Sequence, residues 1–196
     1  MSRHWLLLAV VLLFPVFLAA GNITIDFESF ADGDVLTNQI SGLTFTNTVV
    51  MTAGISLNEI DFPPHSGVNV VSDNGGPLGI VFNTPVLDFS AYFTYVEPLT
   101  LTAFDAMHTP LGTALSLFSN NTATAGDPGS SPNELLHVGS LSGISSVSIA
   151  GDPSGGSFVM DDVTLTTPGS AVPEPGGGLM MITGIGLAGL LFRLLV

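Results

Sequence analysis

The pair Asp161-Asp162 stands inside an apolar, strand-like run, Phe158-Val-Met-Asp-Asp-Val-Thr-Leu165. Strict alternation places Asp161 on the face of Val159, Val163 and Leu165, and Asp162 with Phe158, Met160 and Thr164. Either way at least one carboxylate borders an apolar face. A buried carboxylate needs a partner, or it takes up a proton at a cost. No Lys or Arg lies between Arg3 and Arg193, so the partners on offer are backbone N–H groups, hydroxyls, a histidine or a cation. Asp26, Glu28, Asp32 and Asp34 lie around the first strand-like segment and its turn. If the first and last strands meet, Glu28 or Asp32 with Asp161 or Asp162 could close a calcium site, because calcium takes roughly six to eight oxygen ligands. Glu28, Asp32, Asp161 and Asp162 are therefore the candidate metal ligands. The competing reading leaves these acids facing solvent at sheet edges, where charge deters pairing with other strands. The spacing is not that of an EF-hand loop.

Other chemistries find less support. Two acids across a groove could hydrolyse a glycoside, but a chain this rich in carboxylates supplies such pairs by chance. His65, His108 and His137 are widely separated and lack close metal-ligand spacing. There is no Gly-x-Ser-x-Gly elbow and no Gly-rich phosphate loop before a helix. Tyr92 and Tyr95 fall on opposite faces of one strand, so only one can face outward. The expectation is a protein without catalytic residues.

Charge narrows the field further. The 196 residues carry 2 Lys plus Arg against 16 Asp plus Glu, a formal charge of −14. Only Glu174 among the acids lies outside 21–171, so the middle of the chain holds 15 carboxylates and no Lys or Arg. A nucleic-acid surface needs clustered Lys and Arg, and none exists here. Anionic lipid should repel the same region. With no cysteine in the chain, disulfides and thiolate zinc sites are excluded.

The elements that must position these residues read as short strands. Ile23, Ile25 and Phe27 alternate with Thr24, Asp26 and Glu28, and Leu43 and Phe45 alternate with Thr44 and Thr46. Further strands are expected at Val68–Val71, Leu78–Phe82, Phe89–Val96, Leu99–Asp105, Ala114–Ser119, Leu135–Val138, Val147–Ile149 and Phe158–Thr166. Gly-Gly-Pro, Asp-Pro-Gly-Ser-Ser-Pro and Asp-Pro-Ser-Gly-Gly supply the turns. The pattern predicts an all-β, two-sheet antiparallel sandwich of jelly-roll type over 22–168. Asn120–Pro132 is expected to be a long mobile loop.

Both ends carry export signals. Residues 1–21 have a basic start, an apolar run from Trp5 to Leu18 and the small residues Ala19-Ala20-Gly21, the pattern of a secretory signal peptide. Residues 169–178 form a Pro/Gly-rich linker containing Val172-Pro-Glu-Pro175. Residues 179–196 are an apolar segment, interrupted by Thr183, that reaches about the minimum length for a membrane-spanning helix, with Arg193 near its end. Val-Pro-Glu-Pro, an apolar helix and a terminal Arg resemble the PEP-CTERM sorting signal of Gram-negative bacteria. The resemblance implies processing by an exosortase-type transpeptidase that recognises Pro173, Glu174 and Pro175, with Arg193 as the flank of the membrane anchor. Family members usually end in a basic cluster, whereas Leu-Leu-Val follows Arg193 here.

The opening Ile25-Asp-Phe-Glu28, then Gly42-Leu-Thr-Phe-Thr-Asn47, and the closing Gly155-Gly-Ser-Phe-Val-Met-Asp-Asp-Val-Thr-Leu165 resemble lectin-like and carbohydrate-binding-module-like sandwiches. That likeness implies adjacent first and last strands and, often, a structural calcium. The expected protein is exported and first tethered to the inner membrane. It is then delivered to the cell surface or the exopolysaccharide matrix, where it acts structurally or by binding. The alternatives are a calcium-dependent carbohydrate-binding module and, behind it, a secreted glycoside hydrolase.

Overall fold

The computed structural model describes residues 21–169. Of the expected signal peptide, 1–20 lie outside the described residues and Gly21 begins the first strand; Pro173, Glu174, Pro175, Arg193 and the apolar C-terminal segment also lie outside them. Residues 20–168 form one compact unit.

This unit is all-β and antiparallel. The strands are β1 (Gly21–Ile25), β2 (Leu43–Thr46), β3 (Thr48–Thr52), β4 (Asn69–Asp73), β5 (Leu78–Tyr95), β6 (Thr100–Phe104), β7 (Pro110–Leu115), β8 (Glu134–Ala150) and β9 (Phe158–Thr167). The ladder order is β3-β4-β9-β5-β8-β6-β7, with β1 on β9 and β2 on β5. The first and last strands are neighbours, Ile23 opposite Leu165, as the sequence led us to expect.

One continuous ladder makes two layers because its two longest strands bend. In β5, Leu78, Ile80 and Phe82 point into the core, whereas beyond Val86 the buried set is Phe89, Ala91, Phe93 and Tyr95. The inward parity changes from even to odd where the β5–β8 register shifts, between Val81 and Asp88. β8 makes the complementary change, from Leu136 and Val138 to Val147 and Ile149. Gly143, at φ 86, stands between the two sets. Bends of this kind let a strand pass from one sheet of a sandwich to the other. The first half of β5 therefore pairs with β2 and the second half with β9. The segments Leu78–Phe82 and Phe89–Val96, predicted as separate strands, are two arms of β5. Leu135–Val138 and Val147–Ile149 are likewise arms of β8.

The principal core lies between the layers, with Phe27, Phe45, Phe89, Phe93, Tyr95 and Phe158 as its bulk. A smaller cluster of Leu57, Val70 and Val159 sits on the opposite face of β4 and β9, under the segment joining β3 to β4. The predicted strand Ala114–Ser119 lies earlier, as Pro110–Leu115, and β3 escaped prediction.

The stretch Asn120–Pro132 is a docked loop, not a free one. Asn121 is fully buried. Its side-chain Oδ1 accepts Tyr95 N–H at 2.7 Å, its Nδ2 donates to Phe93 O at 2.9 Å, and its own N–H donates to Tyr95 O at 3.0 Å. One asparagine thus takes the place of a neighbouring strand at the end of β5. Asp127 closes the loop by accepting Ser119 N–H at 2.8 Å, and Thr124 bonds Asp61 across the gap.

Candidate functional site

The last strand carries a bulge where its two acids stand. Ser90 pairs with Thr164 but Tyr92 pairs with Asp161, so β9 holds one residue more than β5 between these rungs. The extra residue is Asp162, at φ 46, a left-handed conformation that Asp tolerates better than most side chains. The bulge corrects the alternation argument. Phe158 and Met160 point into the core before it, and Val163 and Leu165 after it. Both carboxylates are left on the outer side, beneath the loop that joins β3 to β4.

Asp161 is 1% exposed. Its Oδ2 accepts His65 N–H at 2.8 Å and Ser66 N–H at 2.9 Å, and its Oδ1 accepts Asp162 N–H at 2.7 Å. Burial nevertheless pushes its carboxyl up to about 6, and the neighbouring Asp162 charge adds to the rise; the N–H donors pull the other way. Asp162 accepts Ser66 Oγ–H at 2.9 Å and lies 2.6 Å from His65 Nδ1. The His65 ring in turn stacks on Tyr92, with centroids 3.5 Å apart and planes 8° from parallel. Tyr92 is the outward tyrosine of β5, and Tyr95 is the buried one.

Glu28 holds the far end of the same loop. Its Oε1 accepts Val68 N–H at 2.9 Å and Asn69 N–H at 2.8 Å. Gly67 lies between these anchors at φ 54, and a Cβ there would meet the Glu28 carboxyl at 2.3 Å, so glycine is required. Asp32 holds the start of the same β3–β4 connection, accepting Thr52 N–H at 2.8 Å and Ser56 Oγ–H at 2.5 Å. All four candidate metal ligands thus bond the β3–β4 connection, Asp32 at its start, Asp161 and Asp162 at His65 and Ser66, and Glu28 at its end. Among the described residues, no three His, Asp or Glu side chains converge as a metal site.

A polar strip continues from this cluster across the outer face of the sheet. The rungs place Thr24, Thr164, Ser90 and His137 in one row, and Asn22, Thr166, Asp88 and Gly139 in the next. Tyr92 stands opposite Leu135, which is 52% exposed. Asp88 and His137 pair at 2.7 Å. The strip therefore offers hydroxyls, an amide, carboxylates and imidazoles, walled at one end by His65 on Tyr92. Sequence reasoning missed His65 and Tyr92 as partners, because 27 positions separate them and only the β3–β4 loop brings them together. Two shallow clefts, of about 240 and 200 Å³, are lined by apolar, hydroxyl, amide and glycine residues with no carboxylate or imidazole.

The class defined by this fold is an antiparallel β-sandwich with a loop-walled outer sheet face. No protein-family model matches the chain, and no curated protein matches it. Among solved structures, the K2 cleaved adhesin domain of Lys-gingipain is similar at a TM-score of 0.49, with 14% identity over 75% of this chain and 100% of that one. The K1 cleaved adhesin domain of Lys-gingipain from Porphyromonas gingivalis W83 gives 0.46, with 9% identity over 76% and 99%. A mutant of a family 29 carbohydrate-binding module gives 0.40, with 10% identity over 80% and 93%. At such scores and identities the likeness carries no weight for function.

Proposed function

We propose that this is an exported surface or exopolysaccharide-matrix protein, sorted through its C-terminal Pro-Glu-Pro segment, whose β-sandwich binds or scaffolds and does not catalyse. The observation that carries the binding half is the outer face itself. The half-buried Tyr92 ring is covered on one face by His65, and beside the pair lie Asp162, Asp88, Ser90 and the threonines of β1 and β9. Saccharides are bound by such sets, with C–H faces against an aromatic ring and hydroxyls bonded to carboxylates and amides. The sorting half rests on the order of Pro173-Glu-Pro175, apolar segment and Arg193 in the sequence. An exosortase-type enzyme, the membrane and exopolysaccharide are the partners of this reading.

The test is retention on immobilised exopolysaccharide from the native cells. Wild-type domain is expected to bind, and Tyr92→Ala to lose about tenfold, the scale of a lost aromatic contact. Equal retention of the two would remove the outer face from the account.

A second reading makes that binding depend on calcium, bound at Asp161 and Asp162 beside the β3–β4 loop. The two carboxylates side by side at one bulge, Asp162 half-buried on the outer side, favour it. Glycan retention abolished by EDTA and restored by calcium would establish it. Retention and melting temperature unchanged by EDTA would eliminate it.

A further inference from the structure

A ring that stacks on a sugar has to turn a face to solvent. Tyr92 is half-buried, and the His65 imidazole lies flat on it, centroids 3.5 Å apart and planes 8° from parallel. Of the two rings His65 is the one on the surface, with 34% of its side chain exposed. One of its faces is taken by Tyr92 and its Nδ1 by Asp162. What it leaves to solvent is the opposite face and the Nε2 edge. Among the described residues nothing hydrogen-bonds to Nε2, whereas the backbone N–H and Nδ1 are both paired.

This exposed ring is also fixed in place. Its backbone N–H donates to the buried Asp161 at 2.8 Å, and its Nδ1 lies 2.6 Å from Asp162 Oδ2. Pro63 and Pro64 precede it and lock two backbone φ angles, and Pro63 O accepts Asn133 Nδ2–H at 3.2 Å. Swinging the imidazole off Tyr92 would forfeit the stack and the Asp162 bond together, so a ligand meets the ring where it stands. A side chain already ordered loses little freedom when a ligand covers it, which favours binding. With Nδ1–H donated to the carboxylate, the neutral ring keeps Nε2 as an acceptor for a hydroxyl. Charge narrows the ligand as well. Residues 21–171 hold no Lys or Arg to pair with a uronate or sulfate, so an uncharged saccharide suits this face.

We infer that the solvent-side face of His65 is the platform on which an uncharged saccharide stacks, with Tyr92 as the support beneath it. This rests on the binding reading given above and names the residue that touches the sugar. The C–H face of the sugar lies on the imidazole, and a hydroxyl at its rim donates to Nε2. The loss expected for Tyr92→Ala then follows indirectly, because removing the lower ring leaves the upper one without its support. Tyr92→Ala therefore tests the outer face, and only changes at His65 test the platform.

The experiment compares two substitutions in the 20–168 unit, whose core is built from its own residues 27–165. His65→Phe keeps a ring on Tyr92 and gives up the bond to Asp162. His65→Asn keeps an amide N–H where Nδ1–H stands and gives up the ring. On immobilised exopolysaccharide from the native cells, His65→Asn is expected to lose about tenfold in retention and His65→Phe to stay within about threefold of wild type. Nitration by tetranitromethane reads the geometry without any ligand. Tyr92 and Tyr95 are the only tyrosines of the chain, and Tyr95 is buried, so Tyr92 should be nitrated slowly in wild type and His65→Phe and faster in His65→Asn. Urea unfolding confirms that each variant is folded. The opposite order of retention, Phe losing and Asn keeping, would make His65 a pin for the loop and overturn the inference. Retention raised in His65→Asn would make the histidine a cap over Tyr92 and overturn it too, as would retention or nitration equal in all three proteins. If Tyr92→Ala loses retention while His65→Asn does not, the platform alone fails; if wild type is not retained, the binding reading fails and the platform with it.

Discussion

At the scale of single residues, two buried carboxylates with the same chemistry are predicted to respond unequally to the same change. Asp73 is 2% exposed, and its Oδ1 accepts Ser157 N–H at 3.0 Å and Phe158 N–H at 3.2 Å. Its Oδ2 meets only the Ser157 hydroxyl, at 3.2 Å, which already accepts Asp152 N–H at 2.9 Å and has a second lone pair to accept again. Asparagine fits that environment, with its carbonyl toward the two N–H groups and its NH₂ toward the hydroxyl. Asp161 has N–H donors on both oxygens, so an amide there must aim its NH₂ at a backbone N–H. In urea unfolding at pH 7, Asp161→Asn should cost about 1–3 kcal/mol, the penalty for an orphaned buried donor. Asp73→Asn should stay within about 1 kcal/mol of wild type. Equal losses would mean that the N–H donors do not govern either site.

The same residues give the pH dependence a sign. Burial raises the Asp73 carboxyl above its ordinary 3.8, against the pull of its hydrogen bonds. The folded chain therefore binds this proton more tightly than the unfolded chain does. From about 3.8 up to the folded value, the native state holds more protons and stability falls as pH rises; above that window the contribution is flat. Asp161, pushed up to about 6, acts with the same sign. Unfolding free energies measured from pH 4 to pH 7 should decline less steeply in Asp73→Asn than in wild type. Parallel curves would show that Asp73 does not titrate as its burial dictates.

At the scale of elements, Asn121 is the joint between the long loop and the end of β5. Asn121→Ala removes two buried side-chain bonds, to Tyr95 N–H and Phe93 O, for an expected loss of about 2–3 kcal/mol. Amide exchange across 119–127 should quicken more than that of β5 or β8. Exchange that rises uniformly over the whole domain would show that the loop is not a separate unit of stability.

The elements also show what the sequence could and could not reveal. Alternation found Leu78–Phe82 and Phe89–Val96 because each arm keeps its own period of two. It could not show that they are one strand, since the change of parity at Val86 looks like an interruption. Alternation also misplaced Asp162, because a single inserted residue in β9 moves its side chain to the other face. The need of Asp161 for a partner was legible from the absence of Lys and Arg, and backbone N–H groups were among the choices. That the donors would come from His65 and Ser66, 95 or more positions away, depends on packing that no local pattern records. The loop at Asn120–Pro132 had the composition of a free segment, yet one buried asparagine, Asn121, pins it.

At the scale of the whole molecule, net charge and the proposed terminal signals define the setting. A domain with 15 carboxylates and no Lys or Arg in 21–171 must compensate its buried acids with backbone N–H groups and hydroxyls, and it does so at Asp73 and Asp161. The same imbalance suits a protein that has to stay dispersed outside the cell until it meets its partner. Export and sorting remain the central claim, because they decide what that partner can be. They are tested most directly by the intact mass and location of the mature protein in native cells, with and without the sorting transpeptidase gene. The account predicts a product that begins near Gly21, lacks the apolar tail after Pro175, and leaves the membrane only when that gene is present. A protein that keeps its full tail in the membrane in both strains would contradict it.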